Sequence, residues 1–239
     1  MSTAYVNPNA QIISYTYIAN SKLRIYWLKS PFSSEKGLLF SARDLHNLFS
    51  GNFTIKFVKE TLPNEKDGYL IGNSLADNGI HLLITGEFSS KTWDDDFIDK
   101  YVNQDLMPQS QCHFVGDEQG GYSRLVYVAN IPESVGFSAG FTAHRTRGTW
   151  SSYPTHDFET ESLLSPASLY PDFDEIFAYV TDPPGGWGIQ CITSHKGAFT
   201  DTITDRQIRH IPISSHPVVA GPGVRLGYFW IFVGGSRKF

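Results

Sequence analysis

Apolar and polar residues alternate along much of this chain, and short alternating runs bounded by turn residues predict strands. Residues 11–29, Gln-Ile-Ile-Ser-Tyr-Thr-Tyr-Ile and then Leu-Arg-Ile-Tyr-Trp-Leu, predict two strands, and Phe53 to Val58 and Gly79 to Thr85 predict two more. Ser41-Ala-Arg-Asp-Leu-His-Asn-Leu-Phe places Asp44 three residues after Ser41, a capping-box pattern that predicts a short helix. A second helix is predicted from Thr92 to Val102, with Thr92 as N-cap, Asp94 to Asp96 near the positive end of the helix dipole, and Phe97, Ile98, Tyr101 and Val102 on one stripe. The acidic run in that segment suits a solvated helix start better than a cation site.

The pattern changes after Met107. The stretch to Gly121 holds Pro108, Gly116, Gly120 and Gly121 and predicts a boundary between halves. Beyond it nearly every run is a strand: Val135 to His144, Glu175 to Val180, Gly188 to Thr193, Ile208 to Ile213 and Val224 to Val233. Asp182-Pro-Pro-Gly-Gly and Gly221-Pro-Gly supply turns, and a polar loop lies between His156 and Asp174. Regularly spaced short strands predict a sandwich or a closed barrel of the jelly-roll kind.

Composition sharpens this picture. Aromatic residues make up 14% of the 239 positions and charged residues 18%, a balance that suits pleated surfaces and excludes disorder. Lys and Arg number 19 against 24 Asp and Glu, for a formal charge of −5, which argues against nucleic acid as the main partner. Cys112 and Cys191 cannot form a disulfide framework. No apolar run reaches the length of a membrane span, and the opening Met-Ser-Thr-Ala-Tyr-Val-Asn-Pro-Asn lacks the features of a secretory signal, so the expectation is a cytoplasmic protein without membrane partners.

Eight histidines occur without an HxH or HExxH pair, so spacing alone announces no metal. Three residues in the second half nevertheless form a constellation. His156 follows Trp150-Ser-Ser-Tyr-Pro-Thr. Glu175 starts a strand where period two sets it on the face of Phe177 and Tyr179, and a carboxylate buried there needs a partner. His216 stands before Pro-Val-Val-Ala-Gly-Pro-Gly. Two imidazoles and one carboxylate converging from different strands would make a facial triad with open positions.

Those same segments, Trp150-Ser-Ser-Tyr-Pro-Thr-His, Asp174-Glu-Ile-Phe and His216-Pro-Val-Val-Ala-Gly-Pro-Gly, resemble the signature of the 5-deoxy-glucuronate isomerase and 5-keto-4-deoxyuronate isomerase family, whose members are bicupins. The resemblance covers about residues 122–239. It implies a C-terminal cupin (jelly-roll barrel) over 122–239 and a diverged, β-rich domain over 1–110 carrying one or two short helices, in a mainly β chain. In that family a metal is held by two His separated by one residue, a Glu on the next strand and a later His. Carried over, the first His is His156, the Glu is Glu175 and the last His is His216, with zinc, manganese or iron as the implied divalent metal. The second His falls on Phe158, which cannot bind a metal. His144 and Asp157 are the alternative donors nearby in sequence. The usual Gly before the last His is Ser214, and a family Tyr and pocket Asn in the final strand are replaced by Gly227 and Trp230.

Two functions follow from the resemblance. One is aldose–ketose isomerisation of a uronate-like sugar acid, in which Arg145, Arg147 or Arg209 clamps the carboxylate and Tyr179, Tyr228 and Trp230 line the substrate pocket. The other is a cupin that has lost catalysis and serves as a carbohydrate-binding or structural module. Low charge suits self-association, or a place in a larger assembly such as a virion.

Overall fold

The computed structural model describes residues 12–18, 23–28, 37–58, 79–88, 91–92, 100–101, 104–106, 112–117, 119, 121–131, 137–152, 174–194, 197–211 and 215–233. The chain divides into two compact units, Met1–Pro108 and Gln109–Phe239.

The first unit is built on β1 (Ile12–Ile18), β2 (Leu23–Leu28), β3 (Gly37–Ala42), β4 (Phe53–Val58), β5 (Ile80–Phe88) and β6 (Lys91–Thr92), with α1 (Leu45–Phe49) between β3 and β4. The sheet order is β1-β2-β5-β3-β4, all antiparallel, with β6 added to β5. Strand register explains why these residues hold together. Leu23, Ile25 and Trp27 stand in rows with Leu82 and Ile84, then Leu38 and Phe40, then Ile55 and Phe57, and every one of them is buried. Period two thus lays four strands' apolar residues on one face.

The helix begins differently from the capping-box expectation. Ser41 lies in β3, where its hydroxyl meets His81 Nδ1 on β5 at 2.8 Å. Asp44 is the N-cap, accepting from the Asn47 backbone N–H at 2.8 Å. Strand pairing captured Ser41, and the next suitable oxygen took the cap. Of the second expected helix, Lys100 and Tyr101 are helical and Thr92 belongs to β6, while residues 93–99 lie outside the described residues.

The second unit contains β7 (Cys112–Asp117), β8 (Tyr122–Val128), β9 (Phe137–His144), β10 (Trp150–Ser151), β11 (Asp174–Asp182), β12 (Trp187–Ser194), β13 (Gly197–Thr204), β14 (Ile208–Ile211), β15 (Val218–Ala220) and β16 (Arg225–Val233). They form one sheet in the order β13-β12-β15-β10-β8-β9-β16-β11-β14, with β7 on β8. The β8–β10 pair is parallel and the others are antiparallel. The sheet curls until its two end strands meet, where Arg209 of β14 pairs with Asp201 of β13 at 2.7 Å. Phe177, Tyr179, Tyr228, Trp230, Ile211 and Val218 pack as one cluster inside the curl.

Two glycines matter to this shape. Gly185 adopts φ 77° in the Asp182-Pro-Pro-Gly-Gly turn, a left-handed conformation that a side chain disfavours. Gly140 on β9 faces Trp230 across the ladder, and a Cβ there would fall on the Trp230 ring and on the Tyr127 carbonyl oxygen. Among the described residues no helix is long and apolar enough to cross a membrane.

Candidate functional site

Alternation along Asp-Glu-Ile-Phe-Ala-Tyr-Val sets Glu175, Phe177 and Tyr179 on the inner face of β11, each at most 1% exposed. His216 enters the same interior just before β15 and is 1% exposed. Its Nε2 lies 3.3 Å from Glu175 Oε2, and its ring packs edge-on against Phe177 with centroids 5.6 Å apart. A carboxylate removed from water is costly without polar company, and the His216 imidazole approaches Glu175 here.

The backbone that carries His216 is itself held. Gln190 on β12 donates from Nε2 to the carbonyl oxygens of His216 at 2.7 Å and Pro217 at 3.1 Å. The Tyr179 hydroxyl donates to Gln190 Oε1 at 2.7 Å, which fixes the amide the right way round. Burial, with Tyr228 and Glu175 nearby, holds the Tyr179 hydroxyl well above the ordinary phenol range, so it remains a donor. Sequence reasoning missed Gln190. The signal was a lone amide on the strand face of Gly188 and Ile192, both buried.

The other expected pocket residues lie as follows. The Tyr228 hydroxyl meets Ser151 Oγ at 2.7 Å and Ser152 Oγ at 3.3 Å, and its ring is 4.4 Å from that of Phe177. Trp230 is buried against Gly140. Both aromatics fill the interior. Arg145 is exposed, with its guanidinium over the Phe114 ring at 5.1 Å. Arg147 bonds to the Asp182 carboxylate at 2.8 Å and to the carbonyls of Asp182 and Gly223, at the opposite end of β11 from Glu175. The structure therefore brings Glu175, His216 and Tyr179 together, and it does not bring Arg145 or Arg147 to them.

His144 is buried at the end of β9, with Nδ1 3.4 Å from Thr149 Oγ1 and Nε2 lacking a hydrogen-bond partner among the described residues. Burial first, then the charges of Arg124 and Arg225, push its pKa down to about 3. Register excludes it as a stand-in for the missing family His. Gly227 pairs with Ala143 and Thr181 with Leu226, so His144 stands level with Thr181, six residues along β11 from Glu175 and roughly 20 Å away along the strands.

His156, Asp157 and Phe158 lie outside the described residues. Among the described residues no group of three or more His, Cys, Asp and Glu could hold a metal ion. The two donors that do meet suit one ion in type and spacing. Nitrogen and oxygen ligands each about 2.1 Å from a tetrahedral zinc stand about 3.4 Å apart.

Comparison with known proteins places this geometry in context. The sequence profile described as the KduI/IolB family matches residues 116–239, just over half of the chain. A 5-deoxy-glucuronate isomerase from Bacillus velezensis is 30% identical over 94 residues, covering 38% of this chain and 33% of that protein. The match thus spans about a third of the curated relative's length. The crystal structure of an IolB-like protein from Salmonella typhimurium LT2 overlaps 98% of this chain and 93% of its own, with a TM-score of 0.57 at 15% identity. At that identity the likeness concerns the fold. The fold is the one expected, a mainly β chain with a C-terminal cupin jelly roll and a β-rich N-terminal part carrying a short helix.

Proposed function

The chain belongs to the KduI/IolB family, and from that premise we propose that it is a cupin-type isomerase of a uronate-like sugar acid, interconverting aldose and ketose by proton transfer between adjacent carbons. The observation that carries this reading is the buried Glu175–His216 pair, 3.3 Å apart inside the family-matched half. Such a pair, dry and aromatic-walled, is costly to keep as a structural ornament.

In this proposal Glu175 and His216, with His156 as third donor, hold one divalent ion. When bound, the ion would polarise a substrate carbonyl as a Lewis acid. Tyr179 and Gln190 keep the His216 backbone in place, so that its imidazole approaches from a fixed direction. Phe177 packs against that imidazole in an edge arrangement, with centroids 5.6 Å apart. The Phe158 substitution leaves three donors, a number that zinc sites with an open position use.

The test is elemental analysis of the purified protein beside His216→Ala, with isomerase assays on 5-deoxy-glucuronate and glucuronate. About one zinc, manganese or iron per chain, lost in the variant, supports the proposal. Metal-free protein that converts neither sugar acid overturns it.

A second reading has a specific observation in its favour. Tyr228 and Trp230 fill the barrel interior as buried core residues. A non-catalytic carbohydrate-binding or assembly module would keep such a core. This reading predicts indifference to chelator and a stable oligomer on sizing by light scattering.

A further inference from the structure

Arg209 on β14 stands directly opposite Phe177 on β11, while Ile211 stands opposite Glu175. Opposed residues share a sheet face, so Arg209 projects to the same side as Glu175, Phe177 and His216. One diagonal step separates the Arg209 and Glu175 backbones, roughly 8 Å. A six-carbon acid can span that interval.

Its surroundings are those of an anion site with one place taken. Its Nη2 contacts Asp201 Oδ2 on β13 at 2.7 Å, and the two side chains are 39% and 45% exposed. A carboxylate therefore already docks on one edge of this guanidinium, and solvent reaches the pair. Arg209 Nε, in contrast, is buried and has no hydrogen-bond acceptor among the described residues. A donor shut away from water without an acceptor is unfavourable, and guanidinium offers its nitrogens in a fork that matches a carboxylate. Arg145 and Arg147 are engaged elsewhere, over Phe114 and on Asp182.

We propose that Arg209, oriented by Asp201 across the closing seam of the sheet, is the residue that binds the carboxylate of a sugar acid beside the Glu175–His216 pair. This deepens the sugar-acid reading and rests on it. The ligand class is a monocarboxylate carried on a short polyhydroxy chain, and Arg209 sets specificity for it over the neutral sugar.

The experiment is calorimetric titration of the full chain with glucuronate and with glucose, for the unaltered protein, Arg209→Gln, Arg209→Lys and Asp201→Asn, alongside thermal unfolding of each. Glucuronate binding falls roughly 10- to 100-fold in Arg209→Gln, as expected for one charge-assisted contact, with glucose unchanged. Arg209→Lys keeps the positive charge opposite Asp201 and hence the seam, yet loses the fork and most of the glucuronate preference. Asp201→Asn retains glucuronate binding.

Equal losses of melting temperature in Arg209→Gln and Asp201→Asn with unchanged glucuronate affinity would make the pair a clasp alone and overturn the proposal. So would an unaltered protein that binds glucuronate no better than glucose. Metal content and turnover report separately on the isomerase reading. An inactive, metal-free protein whose glucuronate binding still depends on Arg209 keeps this inference and removes that one.

Discussion

Glu175 and His216 meet at 3.3 Å inside the jelly roll, both shut away from water. Removing one partner takes that contact from a buried group, and breaking a buried pair costs about 3–5 kcal/mol. His216→Ala and Glu175→Gln should each lower stability by a large part of that amount. The double variant should lose much less than the sum of the two. Urea unfolding of the four proteins measures the coupling, and strict additivity would show that the two groups do not depend on one another.

The amide of Gln190 ties Tyr179 to the backbone around His216. Tyr179→Phe removes one buried donor and should cost about 1–2 kcal/mol. Gln190→Leu leaves the His216 and Pro217 carbonyls and the Tyr179 hydroxyl without that partner, so it should cost more. If Gln190→Leu proves the milder of the two, the amide is not what holds His216.

His144 gives stability a pH dependence whose sign is fixed by burial. Its folded pKa, pushed down to about 3, lies below the ordinary value of 6.5. Between those values the unfolded chain binds a proton that the folded chain refuses. Stability contributed by neutral His144 is therefore full above about pH 6.5 and falls as pH drops towards 3, by up to about 1.4 kcal/mol per unit. The facing charges, Arg124 and Arg225, act in the same direction as burial. Denaturant titrations between about pH 4.5 and 6.5 should show this slope, and His144→Gln should flatten it. An unchanged slope in the variant would assign the effect to other groups.

At the start of α1, Asp44→Ala should cost about 1 kcal/mol, the usual worth of an N-cap. Ser41→Ala should act through the sheet instead, by leaving His81 Nδ1 without the Ser41 hydroxyl. Helix content by circular dichroism separates the two. A loss of helix in the Ser41 variant would restore the capping box.

That contrast shows where sequence is informative and where it is not. Asp44 and Ser41 offer the same local chemistry, and pairing with β5, far along the chain, decides between them. Glu175 is legible because period two is a local rule and its neighbours on that face, Phe177 and Tyr179, are unmistakably apolar. His216 is legible from its segment, while its meeting with Glu175 is a product of how the sheet curls. Gln190 looks like an ordinary strand residue, and Arg209 is only one of three arginines that the sequence offers as a carboxylate clamp. Their meaning lies in cross-strand partners that no window of sequence contains. The strands β7 and β13 also escape a pattern reading. Glycine, threonine and aspartate dominate β13, and its exposed residues show little apolar alternation.

Gly140 and Trp230 limit one another across the ladder. The indole occupies the volume that any side chain at 140 would claim, and the Tyr127 carbonyl closes the remaining space. Even alanine at 140 would therefore demand both a narrower residue at 230 and a shift of β8. A smaller residue at 230 would not by itself free position 140, because the Tyr127 carbonyl oxygen would still meet the new side chain.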